Sequence, residues 1–88
     1  MEPTTKKKAL RRLGIIKGQV QGLEKLVADE KYCIDIITQT SAVRRALSGV
    51  EDLLLEHHLG MHVGPQMKHG ETKRASKEIL KVYKLKRT

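Results

Sequence analysis

Three residues of this 88-residue chain have side-chain types and spacings that could do chemistry together: Cys33, His58 and His62. Cys33 is the only cysteine and lies in DEKYCIDIITQ (29–39), while His58 and His62 stand four residues apart in LLLEHHLGMH (53–62). A thiolate is a soft donor and a pair of imidazoles is a borderline one. That set suits Cu(I), Zn(II) or Ni(II). A single cysteine forms no internal disulfide. The chain offers no convincing set of nucleophile, base and oxyanion donors, so it is not expected to be an enzyme. Each residue also has a plainer reading. A lone cysteine on an apolar stripe is usually a small core hydrophobe, and an i, i+4 histidine pair at a helix end is often only solvated. The conjunction of all three on one stripe favours metal ligation. His57 and His69 read as surface residues.

The element that must position these donors is a long helix from about Tyr32 to Met61. Its stripe runs Cys33, Ile36, Thr40, Val43, Leu47, Val50, Leu54, His58, His62, in steps of three or four. This is a seam of period near 3.5, as in helices that pack at a shallow angle. On one continuous helix Cys33 and His58 stand roughly 37 Å apart at ~1.5 Å per residue, too far to share an ion within one chain. Pairing two copies antiparallel along the seam brings Cys33 of one chain near His58 and His62 of the other. Two-fold symmetry then generates two equal sites. The seam therefore predicts an antiparallel dimer whose subunits are bridged by metal.

Around this helix the chain reads as all-α and as one domain, residues 1–88. A first helix is expected over 4–28, capped by Thr4 or Thr5, with Leu10, Leu13, Ile16, Val20, Leu23 and Val27 on its apolar face. Gly14, Gly18 and Gly22 recur every fourth residue and would let another helix approach closely. The break is expected at 29–31. VGPQMKHG (63–70) reads as a loop on its Gly and Pro content. A third helix is expected over Glu71–Leu85, with Ala75, Ile79 and Val82 on one face and Lys73, Arg74, Lys77, Lys81 and Lys84 around the rest.

Charge narrows the partners. Eighteen Lys and Arg against ten Asp and Glu give a net charge of +8 and a pI near 9.9. Such a balance points to a polyanion, most often nucleic acid. The distribution sharpens this. Lys6, Lys7, Lys8, Arg11, Arg12 and Lys17 cluster with no acid among them, and residues 68–87 carry eight basic side chains against two acidic. The chain has no Trp, no Phe and two Tyr, so its core must come from Leu, Ile, Val and Ala. A chain this short buries a small core, and an oligomer is expected. There is no signal-peptide pattern and no long apolar run. A cytoplasmic protein with no membrane partner is expected.

The run RRLGIIKGQVQGLEKLVADEKYCIDIITQTSAVRRALSGVEDLLLEHHL (11–59) resembles the CsoR/RcnR/FrmR family of bacterial metal- and stress-sensing repressors. KGQVQGL, KYCIDIITQ, SAVR and LLLEHHL occur in order and at the family's spacing. The resemblance implies three helices per chain, an antiparallel four-helix-bundle dimer, and two dimers joined as a homotetramer. It implies operator DNA bound without a helix-turn-helix, through basic surface of the first two helices. The inducer then weakens DNA affinity and derepresses efflux or detoxification genes.

The copper-sensing branch matches best. Its ligands align with Cys33, His58 and His62, although His62 stands where that branch has a second Cys. Nickel and cobalt sensors have His at that position but also an N-terminal His, and here no His precedes His57. Formaldehyde sensors place Pro directly after Met, whereas Pro3 here follows Glu2. Persulfide sensors need Cys where His58 stands. The resemblance thus implies a repressor that binds operator DNA when metal-free and releases it on binding Cu(I), with a nickel-, cobalt- or zinc-responsive repressor as the alternative. The second imidazole also admits Cu(II), Zn(II) or Ni(II). Tyr32 and Glu78 match the family's residues that surround the ligands, where packing at the helix start and an ion pair with Arg74 or Lys81 are the plainer roles. For DNA, the resemblance points to Arg12 with Lys8 one turn earlier, and to Arg44 in SAVR. Arg11 and Arg45 adjoin them. A further basic position used elsewhere in the family is Gly49 here.

Overall fold

The computed structural model describes residues 1–87, with the side chains of residues 62, 63 and 66 outside that description. In chain order it contains α1 (Pro3–Ala28), α2 (Cys33–His58), a π-helical turn (Leu59–Val63), a short α3 (Gly64–Lys68) and α4 (Thr72–Arg87). The expected all-α architecture of three long helices is thus present, as α1, α2 and α4. The chain divides into two compact units, Met1–Leu54 and Leu55–Thr88.

In the first unit, α1 starts at Pro3, earlier than a cap at Thr4 or Thr5 would allow. Proline suits the first helical position because its fixed φ fits and its missing N–H has no partner to lose there. Glu2 takes the cap position, and the Thr5 hydroxyl donates to its Oε2 at 3.2 Å. The far end closes as a Schellman motif. The Lys31 N–H bonds the Leu26 carbonyl and the Glu30 N–H bonds the Val27 carbonyl, both at 3.0 Å. The residue that makes the left-handed turn is Glu30, at φ 51°, a position usually given to glycine. The break extends through Tyr32, whose carbonyl accepts the first bonds of the next helix from Asp35 and Ile36, so α2 begins at Cys33.

A four-residue connection leaves α1 and α2 as a hairpin, and this decides where the apolar stripe of α2 goes. Ile16 of α1 is buried with Val43 and Val50 of α2, and Leu23, Ala46 and Leu54 pack around them. One edge of the α2 seam is therefore spent inside the chain. The other edge, Cys33, Thr40 and Leu47, stays exposed. The expectation that the whole seam serves a second copy is corrected accordingly. The nearest apolar face is the one at the other end of a short turn, and it takes Val43 and Val50 first. On α1 a second stripe at heptad spacing, Leu13, Val20 and Val27, is also exposed. Gly14, Gly18 and Gly22 lie opposite Ile16, and an added Cβ at each would meet nothing within 4 Å. Among the described residues, then, no helix uses the close approach they permit.

In the second unit, the expected loop at 63–70 is mostly helical. Gly64 holds right-handed helical angles and Pro65 sits in the first turn of α3. Proline removes the N–H that would continue α2, and its ring crowds the carbonyl four residues earlier. The chain answers with the wider π turn and then restarts. Only His69 and Gly70 form a turn, with Gly70 at φ 80°. Leu55 and Leu59 face Ile79, Val82 and Tyr83 of α4 across an open apolar pocket. The Arg87 guanidinium lies 5.6 Å from the centre of the Tyr83 ring. Among the described residues no helix is long and apolar enough to cross a membrane.

Candidate metal centre and nucleic-acid surface

Cys33 is the first residue of α2 and its thiol is free and exposed. That removes the reading of Cys33 as a small core hydrophobe within the single chain. Tyr32, immediately before it, is also exposed. His58 is the last residue of the same uninterrupted helix. Its Nε2 lies 3.1 Å from Oε2 of Glu78 on α4, with both side chains 37% exposed. An ionised carboxylate only accepts hydrogen bonds, so in this pair Nε2 is the donor, and in the neutral ring the lone pair then falls on Nδ1. A metal-ligating histidine is commonly held by such a carboxylate, which fixes the tautomer and ring orientation and raises the basicity of the other nitrogen.

Glu78 was open to two readings, a partner of the histidine or an ion pair on its own helix. It does both, because a carboxylate has two oxygens. Oε2 meets His58 and Oε1 accepts from Arg74 Nε at 3.4 Å, one turn earlier. Arg74 Nη1 also lies 4.0 Å from Glu71 Oε2. The pairing with Arg74 was legible as an i, i+4 spacing. The pairing with His58 came only from the resemblance.

The chain brings His58 and Glu78 together. It does not bring Cys33 to His58, since they are the two ends of α2. The side chain of His62 lies outside the described residues. Among the described residues no group of three or more His, Cys, Asp or Glu side chains could hold a metal ion.

Of the candidate DNA-binding residues, Lys8, Arg11, Arg12, Arg44 and Arg45 are all exposed on the first unit. Arg12 has one further contact that no spacing rule announces. Its Nη1 donates to the backbone carbonyl of Gly49 on α2 at 3.4 Å. The backbone of Gly49 thus holds this arginine.

A model of the metal-sensitive transcriptional repressor family matches residues 5–85. The copper-sensing transcriptional repressor CsoR of Bacillus subtilis is 41% identical over 73 residues, which span 83% of this chain and 72% of that protein. The copper-sensing transcriptional repressor RicR of Mycobacterium tuberculosis is 47% identical over 49 residues, 56% of this chain and 51% of that one. The crystal structure of the copper-sensing repressor CsoR with Cu(I) from Geobacillus thermodenitrificans aligns over 100% of this chain and 92% of its own, with a TM-score of 0.89 at 34% identity. An exposed thiol, a carboxylate-held imidazole and exposed basic residues on two helices are thus carried on the backbone of known metal-responsive repressors, and the chain belongs to the metal-sensitive transcriptional repressor family.

Proposed function

We propose that the protein is a Cu(I)-responsive transcriptional repressor, which holds operator DNA when metal-free and releases it on binding Cu(I). The observation that carries this reading is the His58–Glu78 pair at the end of α2, with the free thiol of Cys33 at the start of the same helix. The donor types fit the ion. One thiolate and two imidazoles are soft and borderline donors, and three of them complete a Cu(I) site with no water. Cys33 of one chain and His58 and His62 of a second would hold it, because one chain cannot close the set. When bound, Cu(I) supplies a bond between subunits.

The chain's own residues supply the rest. Glu78 orients the His58 ring and ties it to α4. Tyr32 stands beside Cys33 and would flank the ion. Lys8, Arg11, Arg12, Arg44 and Arg45 contact DNA mainly through phosphates, which position the protein and make binding salt-dependent. A homodimer, paired again into a homotetramer, is supported by the exposed stripe Leu13, Val20 and Val27 and by the open edge of α2. An inducer can release DNA only through different affinities for two arrangements of that assembly. We place the protein in the cytoplasm, where its operator lies, with no role as an enzyme.

His62 gives a second reading its footing. An imidazole in place of a thiolate makes the set less soft, which favours Ni(II), Co(II), Zn(II) or Cu(II) relative to a site with two thiolates. The test is anaerobic titration of the protein on operator-region DNA, with release followed by fluorescence anisotropy. Release by about one Cu(I) per protomer, with Ni(II) and Zn(II) inactive, supports the copper reading. Release by Ni(II) or Zn(II) alone overturns it in favour of the second.

A further inference from the structure

The face of α4 that points away from its apolar side is not used by the reading above. Residues 71–87 carry seven basic side chains and two acidic ones. At 3.6 residues per turn, Lys73, Lys77, Lys81 and Lys84 fall within a sector of about 80° and span about 17 Å of helix. All four are exposed. The two acids of the helix region, Glu71 and Glu78, lie outside that sector, and both are drawn to Arg74 at its edge. Among the described residues no acid pairs with any of the four lysines. Opposite them, Ala75, Ile79 and Val82 form the apolar side, with Ala75 buried.

A solvated face built for solubility usually mixes signs. This one excludes acids and engages those nearby with a separate arginine. Lysines one turn apart present single positive charges about 6 Å apart, a row that matches a backbone of repeating phosphates. We infer that the lysine face of α4 is a second phosphate-contacting surface for duplex DNA, additional to the basic residues of α1 and α2. It rests on the repressor reading for its operator, but it concerns backbone contacts that any duplex offers. Because Glu78 joins α4 to His58, this surface belongs to the same helix that holds a candidate ligand.

The experiment compares the full-length protein with a variant carrying Lys73→Gln, Lys77→Gln, Lys81→Gln and Lys84→Gln, and with one carrying Arg at the same four positions. Binding to operator-region DNA and to a random duplex of equal length is followed by anisotropy across salt concentrations. Circular dichroism and sedimentation check that fold and assembly are kept. Each lost phosphate contact removes about 0.9 from the slope of log K against log salt, so the Gln variant should lose about two to four units on both duplexes. The Arg variant should keep the wild-type slope. A Gln variant with the wild-type slope on both duplexes overturns the inference, as does an Arg variant that loses as much as the Gln variant. The repressor reading fails separately, if the wild type does not prefer operator over random duplex.

Discussion

Glu78 concentrates the chemistry of this chain at one carboxylate. Its two oxygens serve two partners of different kinds, a histidine that can ligate metal and an arginine that cannot. The arginine holds the carboxylate in place from one turn away, and the carboxylate holds the imidazole. Losing the carboxylate removes a group that orients the ring and fixes its tautomer. Glu78→Ala should therefore weaken Cu(I) binding by about 10- to 100-fold, as measured by competition with a chromophoric Cu(I) chelator. Cys33→Ala should abolish Cu(I)-driven release while leaving metal-free DNA binding within about twofold, because Cys33 is exposed and outside the core. A Cys33→Ala variant that still releases DNA on adding Cu(I) would refute its role as a ligand.

The helices show where local rules hold and where they are overridden. Their existence follows from apolar spacing, and their ends depend on single residues. Glu30 occupies a left-handed position that costs a side-chain-bearing residue about 1–2 kcal/mol. Glycine there loses about 0.5–1 kcal/mol of that gain to chain entropy, so Glu30→Gly should stabilise the protein by about 0.5–1 kcal/mol. Gly49 presents the opposite case, a glycine inside a helix with open space around it. Gly49→Ala should stabilise α2 by about 0.5–1 kcal/mol, and the carbonyl that holds Arg12 remains. Thermal unfolding at matched protomer concentration checks both, since assembly contributes to stability. At 63–70 Gly and Pro do not end helical structure, because proline in a first turn starts a helix as readily as it stops one.

At the scale of the molecule, the single chain is under-buried. Among the described residues the buried apolar ones are Ala9, Ile16, Val43, Val50 and Ala75, and no large side chain is fully enclosed. Leu13, Val20 and Val27 meanwhile form an exposed stripe at a spacing of seven. A charge in the middle of that stripe should be tolerated by the chain and not by an assembly. Val20→Glu should shift sedimentation toward monomer and, with it, abolish Cu(I) binding by the pair of chains. A Val20→Glu protein that sediments as wild type would show that the stripe is not the subunit interface. If it is monomeric and still binds Cu(I) with full affinity, the bridged site is wrong.

The sequence by itself determined the helical class, the three long helices, the positions of Cys33 and His58 on one of them, and the separation that keeps those two from meeting within one chain. All of these follow from periodicity, composition and helix rise, which are local properties. The i, i+4 pair of Arg74 and Glu78 was legible for the same reason. Only the tertiary structure decided the division of the α2 stripe between α1 and solvent, because that depends on which face a short connection brings near. It alone placed Glu78 against His58 at 3.1 Å and Arg12 on the carbonyl of Gly49. These contacts join residues 20 and 37 positions apart, and no helical period relates residues on different helices.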